Sequence, residues 1–424
     1  MHRVMRSGEQ WLVVAMVAMV AMVAMVALTA CGDGAARATP GVSGDTITVG
    51  AILPLSDAVA VIGTPMSAGL QVYFDALNAR GGIGGRYHVR LVAEDQTYAN
   101  PSTSAQKYQK VKNDVALFAS VVGTDHINML LPLLAEDSVM VVPATFDAEW
   151  AREPNLLPFM APYQIWAMNG VGYFLEQGKG AMKRVCAMAL ATGYGDAGVE
   201  GVTLAGAQMG FSVAAVARFK QDDQDFVAPI TQLRNARCDV VLLVSLPAVT
   251  GRILGAAAQS AFAPQWITLL PGWHASMVGS PLREYLVKNL WVVYDGPAWG
   301  DTSAGRMEEM VDAAARHRPD QKPDIYFAAG YTMGVGVEAL LSRAVELDDL
   351  SRAGILRASE TLGLVSYGGL AGDYRYGPAA DREPPRTTSI FRVDPEAPIG
   401  LRALRSGYVS PAAQAFEFKK RARE

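Results

Sequence analysis

The stretch Gly193-Tyr194-Gly195-Asp196-Ala197-Gly198 carries a GxGxxG spacing between an apolar run and a helix-like segment. In that position glycines let the backbone approach a pyrophosphate, and the helix start favours its charge. The ribose then needs an acid at the end of the next strand, but Arg218 and Lys220 stand there. No GxSxG elbow is present, and no cysteine–histidine pairing marks a nucleophile. His88, His126, His274 and His317 are far apart, and none adjoins a second histidine or a cysteine pair, so no metal site is expected. The acid pairs Asp222-Asp223 and Asp348-Asp349 fall in polar loops and read as solvated faces. The chemistry on offer is binding, without turnover and without a cofactor.

Near the start, Arg3 and Arg6 precede an apolar run over residues 11–27, and small residues then lead to Cys31. This is the layout of an export signal. Leu28-Thr29-Ala30-Cys31 resembles the lipobox of bacterial lipoproteins, which implies cleavage after residue 30, lipidation of Cys31 and an extracytoplasmic, membrane-anchored protein. Residues 31–44 are small and polar and read as a flexible tether. Setting residues 1–30 aside leaves 394, which suits two lobes better than one core. The whole chain carries −4, and loss of Arg3, Arg6 and Glu9 makes it −5, giving no reason to expect a nucleic-acid partner. Two cysteines remain in the body, Cys186 and Cys238, each at the start of an expected strand. A disulfide is conceivable in an oxidising compartment, but two separate buried thiols are the commoner arrangement and the expectation here.

The body alternates β-rich apolar runs with amphipathic stretches, the pattern of βαβ units around parallel sheets. Strands are expected at 47–54, 89–94, 116–121 and 139–144, with helices at 65–79, 101–113 and 127–135. A second set has strands at 185–191, 213–219, 239–244, 266–270 and 290–294, with helices at 197–208 and 249–260. Helices at 304–316, 325–344 and 351–362 follow, and a strand at 388–393 closes the pattern. The fold class is therefore α/β, with two doubly wound parallel-sheet lobes. Ligands of such sheets bind beyond the carboxyl ends of the strands. The segments to watch are 55–63, 123–127, 145–147, 192–196, 245–250 (which opens with Ser245) and 271–275.

Residues 47–95 resemble the start of the leucine/isoleucine/valine-binding protein family, type I periplasmic binding proteins that feed ABC importers. The resemblance rests on Ile47-Thr48-Val49-Gly50, Pro54-Leu55-Ser56, Ala60, Gly63 and Gly69. It continues through Asn78-Ala79, Gly81-Gly82-Ile83, Gly85-Arg86 and Glu94-Asp95. Weaker matches at Val141-Val142-Pro143, Tyr194-Gly195 and Tyr331 extend it over nearly the whole body. It implies two lobes joined by a three-strand hinge, with lobe 1 from 45–162 and 295–386, lobe 2 from 163–294 and 387–410, and a tail at 411–424. It also implies permease and ATPase subunits as partners. A ligand-sensing receptor of the same fold is the alternative.

The resemblance also places residues. Ser56 ends the first strand over the cleft, and Ile62 stands where the family carries an aromatic ligand contact. Gly123-Thr124-Asp125 and Ala144-Thr145-Phe146 match the stretches that hold an α-carboxylate. Thr124 at a helix start would donate to an anion, or else cap its helix. Asp125 would repel a carboxylate unless it points away or meets a ligand ammonium. Tyr194 matches the aromatic of lobe 2. The family's ammonium-holding acid is missing from Leu270-Pro271-Gly272-Trp273-His274, which weakens the case for a plain α-amino acid. Trp273, Phe146 and Tyr194 would then make an apolar or aromatic pocket, which suits an aliphatic or aromatic carboxylate.

Overall fold

In a computed structural model of the chain, residues 39–178 and 183–419 are described. The export segment 1–30, Cys31 and the first part of the tether lie outside the described residues, as does the end of the tail. From Pro40 onward the chain is one compact unit, and it is built of two α/β lobes.

Lobe 1 opens with β1 (Val42–Ser43), β2 (Thr46–Leu53), α1 (Ala60–Ala79), β3 (His88–Asp95), α2 (Ser102–Val111), β4 (Phe118–Val122), α3 (Thr124–Asp137) and β5 (Val141–Ala144). Strands β3, β2, β4 and β5 lie side by side and parallel, and β1 adds an antiparallel pairing to the start of β2. Seven of the eight β2 residues are buried. A continuous apolar run of this kind is what a parallel strand covered on both faces requires.

The chain then crosses to lobe 2, with α4 (Tyr163–Gln177), β6 (Val185–Leu190), α5 (Gly193–Met209), β7 (Val216–Phe219), α6 (Val227–Asn235), β8 (Val240–Val244), α7 (Pro247–Gln259), β9 (Gln265–Leu269), α8 (Arg283–Asn289) and β10 (Leu290–Tyr294). It returns to lobe 1 for α9 (Met307–His317), α10 (Ile325–Glu346), α11 (Arg352–Glu360) and the small ribbon of β11 (Leu364–Val365) and β12 (Tyr374–Arg375). A third crossing delivers β13 (Thr388–Val393), β14 (Leu401–Tyr408) and α12 (Pro411–Ala415) to lobe 2. The lobe 2 sheet runs β14-β13-β10-β9-β8-β6-β7, parallel from β10 to β7 and antiparallel at β13 and β14. Two crossings are tied together where the Ala161 amide donates to Asp295 Oδ2 at 2.7 Å.

Close helix packing explains two glycines of lobe 1. A Cβ on Gly69 would lie 2.0 Å from the Phe327 carbonyl oxygen, and one on Gly330 would lie 2.0 Å from that of Met66. Each glycine of the α1–α10 pair thus seats the other helix's backbone.

One reading of the sequence is corrected, and two segments left without an element are placed. Cys186 and Cys238 form a disulfide, with Cα atoms 5.8 Å apart. Parallel pairing of β6 with β8 brings their starts together, which sequence separation hides. Helix α4 escaped the periodicity because Tyr163 through Gly172 are all buried, leaving no polar stripe to read. Residues 401–408, to which the sequence pattern assigns no element, form the edge strand β14. Its middle six residues are exposed, and Arg402 pairs with Asp394. Charge on an exposed edge strand discourages pairing with other chains.

Candidate functional site

The carboxyl ends of both sheets face a small cavity between the lobes, of about 40 Å³, which is room for a few water molecules. Lobe 1 contributes Val59, Ile62, Met66, Tyr98, Val122, Gly123, Thr124, Ala144, Thr145 and Phe146, with Tyr326 and Ala329 from α10. Lobe 2 and the crossing before it contribute Tyr163, Tyr194, Leu246, Leu270 and Pro271.

The polar end is made of hydroxyls. Gly123 turns the chain from β4 into α3 with φ +101°, and a Cβ there would meet His126 Cδ2 at 2.8 Å and Tyr98 Cε2 at 2.9 Å. Thr124 follows as the first residue of α3. It does not cap the helix; its Oγ1 lies 2.6 Å from Thr145 Oγ1 at the end of β5, and both residues are buried. Tyr163 is hydrogen-bonded to the Thr145 side chain and the Phe146 backbone. Its ring packs 4.6 Å from that of Tyr194. Tyr194 is only 3% exposed, and its Oη has no hydrogen-bond partner among the described residues. A buried hydroxyl without a partner costs stability, so it marks a place where a ligand group is wanted. Burial holds the Tyr194 and Tyr326 phenols well above the ordinary tyrosine range, so both stay protonated.

The apolar wall is held by a buried scaffold. Phe146 packs against Phe159 and Trp166 at 5.4 Å each. Tyr326 Oη donates to the Leu270 and Trp273 carbonyls at 3.1 and 2.6 Å. Tyr98 stacks on His126, whose Nε2 meets the Tyr98 carbonyl at 3.1 Å and whose Nδ1 meets Ser104 Oγ at 2.7 Å. Burial lowers the pKa of His126, so the imidazole is neutral in this network.

Five of the nine candidate ligand residues line the cavity: Ile62, Thr124, Thr145, Phe146 and Tyr194. The other four are engaged elsewhere. Ser56 is exposed and donates to Asp95 at the end of β3. Ser245 is fully buried and bonds the Thr250 hydroxyl inside lobe 2. Trp273 is fully buried, and its Nε1 donates to the Ile399 carbonyl at 3.2 Å. Asp125 turns from the cavity to accept from the Gly193 amide. Sequence reasoning missed Tyr98, Tyr163 and Tyr326. Tyr98 does follow the carboxyl end of β3, where the crevice rule could have found it.

The glycine spacing at 193–198 serves packing. A Cβ on Gly195 would lie 1.8 Å from the Leu190 carbonyl oxygen, and one on Gly198 would lie 2.5 Å from Val244 Cγ2. Asp196 pairs with Arg218 at 2.8 Å.

The fold is shared with solved solute-binding proteins. A fatty acid ABC transporter substrate-binding protein from Thermomonospora curvata superposes with a TM-score of 0.81 at 20% identity, over 90% of this chain and 97% of that one. A branched chain amino acid ABC transporter from Thermus thermophilus, with bound valine, gives 0.73 at 14% identity over 88% and 99%. In sequence, the Leu/Ile/Val-binding protein BraC3 of Rhizobium johnstonii is 29% identical over 207 residues, 46% of this chain. That match spans about half, 53%, of the length of BraC3. The periplasmic binding protein family model matches residues 46–398, most of the chain. With two α/β lobes meeting at a cavity lined from both, the chain belongs to the periplasmic binding protein family.

Proposed function

We propose that this protein is the solute-capturing component of an ABC importer, anchored outside the cytoplasm through Cys31. Its cargo is a small metabolite, a branched-chain amino acid or a related amide or carboxylate. The observation that carries the reading is the buried Tyr194 hydroxyl, without a partner among the described residues, in a cavity that also holds the Thr124–Thr145 hydroxyl pair of the other lobe. A ligand that accepts from both lobes stabilises the closed form, since only that form supplies both sets of donors. Family membership supports permease and ATPase subunits as partners. One structural relative is named for fatty acids and another holds valine, and both cargoes have an apolar body. The Cys186–Cys238 disulfide supports an oxidising compartment.

Calorimetry and thermal shift across amino acids, amides and carboxylates test the reading. A bound solute raises the melting temperature. Thr124→Val should weaken binding about ten-fold without unfolding the protein, the cost of one hydrogen bond. Wild-type affinity in that variant would reject the site. Addition of the loaded protein to its permease and ATPase should stimulate ATP hydrolysis; a sensor would leave it unchanged.

A further inference from the structure

We propose that the captured solute has an acyl oxygen at its polar end and no amino group, as in an aliphatic or aromatic carboxylate or its amide. The inference rests on the solute-binding reading of the interlobe cavity. Apart from phenols, no ionisable side chain lines that cavity among the described residues. Of the acids close in sequence to its lining, Asp147, next to Phe146, accepts from the Glu149 amide at 3.3 Å and from Gln164 Nε2 at 3.0 Å and does not line the cavity; Asp125 and Asp57 are held by backbone amides. Asp125 accepts from Gly193 N at 3.0 Å, and Asp57 accepts from Val59 N at 2.8 Å and from Tyr98 N. None of these carboxylates lines the cavity to receive an ammonium. A buried ammonium without an anionic partner is heavily penalised, so a zwitterionic amino acid is disfavoured by the site itself.

The hydroxyls argue the same way from the other side. In the Thr124–Thr145–Tyr163 cluster two bonds join three hydroxyls, which leaves one O–H to give. The Tyr194 O–H is unpartnered and protonated. Tyr326 already gives its O–H to backbone carbonyls. Tyr194 and the Thr124–Thr145–Tyr163 cluster can thus each offer an O–H, and an acyl oxygen with two lone pairs accepts both. The remaining wall, including Ile62, Met66, Leu246 and Leu270, is apolar; with about 40 Å³ of free space here, the lobes must part further for it to take the hydrocarbon part.

Calorimetry with matched compounds decides the point: leucine, 4-methylpentanoate, 4-methylpentanamide and 3-methylbutylamine, then phenylalanine against 3-phenylpropanoate. At least one amine-free acyl compound should bind about 100-fold or more tighter than its amino acid, and the amine should not bind. The carboxylate and amide arms separate an anionic from a neutral cargo. Tyr194→Phe, which removes only the oxygen, should weaken the acyl compound about ten-fold. Leucine or phenylalanine binding as tightly as its amine-free partner overturns the inference and leaves solute capture standing. Failure of every acyl compound also overturns it. Solute capture itself falls only if a broad library of amino acids, sugars, nucleosides and organic acids gives no thermal shift.

Discussion

The Asp125 carboxylate of lobe 1 accepts a hydrogen bond of 3.0 Å from the Gly193 amide of lobe 2. Asp125 sits in the first turn of α3, and Gly193 is the first residue of α5. One negative charge therefore lies against the positive ends of two helices, one in each lobe. The fit is close: a Cβ on Gly193 would lie 2.8 Å from both Asp125 Oδ1 and Thr124 Cγ2. The bond joins the lobes directly, beside the cavity.

Removing this bond should loosen closure without harming either lobe. Asp125→Ala is expected to raise the ligand dissociation constant about ten-fold, the scale of a lost helix cap. Gly193→Ala should do at least as much, because its methyl group props the lobes apart. Small-angle scattering of the ligand-free variants should show a larger radius of gyration. Unchanged affinity in both variants would mean that closure does not depend on this contact.

The fold was legible because parallel strands advertise themselves as apolar runs between helices, as at β2 and β8, whose residues are almost wholly buried. Helix α4 was not, since burial all round erases the helical period. Part of the cavity lining was legible from strand ends: Thr124, Thr145 and Tyr194 stand where the sheets open toward the crevice. Ser245 and Trp273 occupy such segments too, yet their side chains turn into lobe 2. A segment's place in the topology can be inferred from sequence, whereas the direction of one side chain depends on the partners it finds. Tyr326, reaching the cavity from α10, is positioned by the Leu270 and Trp273 carbonyls of the other lobe, contacts with no local signature.

Reduction should weaken lobe 2. The disulfide joins residues separated by 52 positions, and closing a loop of that length is worth roughly 4 kcal/mol through the unfolded state. The Cys186→Ser, Cys238→Ser double variant should melt several degrees lower, and dithiothreitol should reproduce the drop in the wild type only. Equal melting temperatures with and without reductant would show that the bridge contributes nothing.

Gly330→Ala and Gly69→Ala should each destabilise the protein, because the added methyl group would overlap a carbonyl oxygen of the opposing helix. Separating α1 from α10 costs on the order of 2–3 kcal/mol, the scale of an overpacked core. Since each substitution opens the same gap, the double variant should lose less than the sum of the singles. Denaturant melts of the three variants measure this, and strict additivity would show that the two glycines act independently.

Asp295 gives the stability a pH dependence of predictable sign. It is buried where two crossings meet, with Oδ2 bonded to the Ala161 amide and Oδ1 unpartnered among the described residues. Burial pushes its pKa up to about 7 from an ordinary 3.8. Between those values the folded chain keeps a proton that the unfolded chain releases. This group's contribution is thus complete below the lower value, falls as pH rises, and is lost above about 7. Asp295→Asn keeps an oxygen for Ala161 and carries no charge. It should be more stable than the wild type at pH 8, by a few kcal/mol at most. The advantage should shrink through pH 6 and vanish near pH 4. Melting temperatures at the three pH values check it. A variant less stable at pH 8 would show that the Asp295 carboxylate is ionised and supported in the fold, and an advantage unchanged from pH 8 to pH 4 would show that its pKa is not raised.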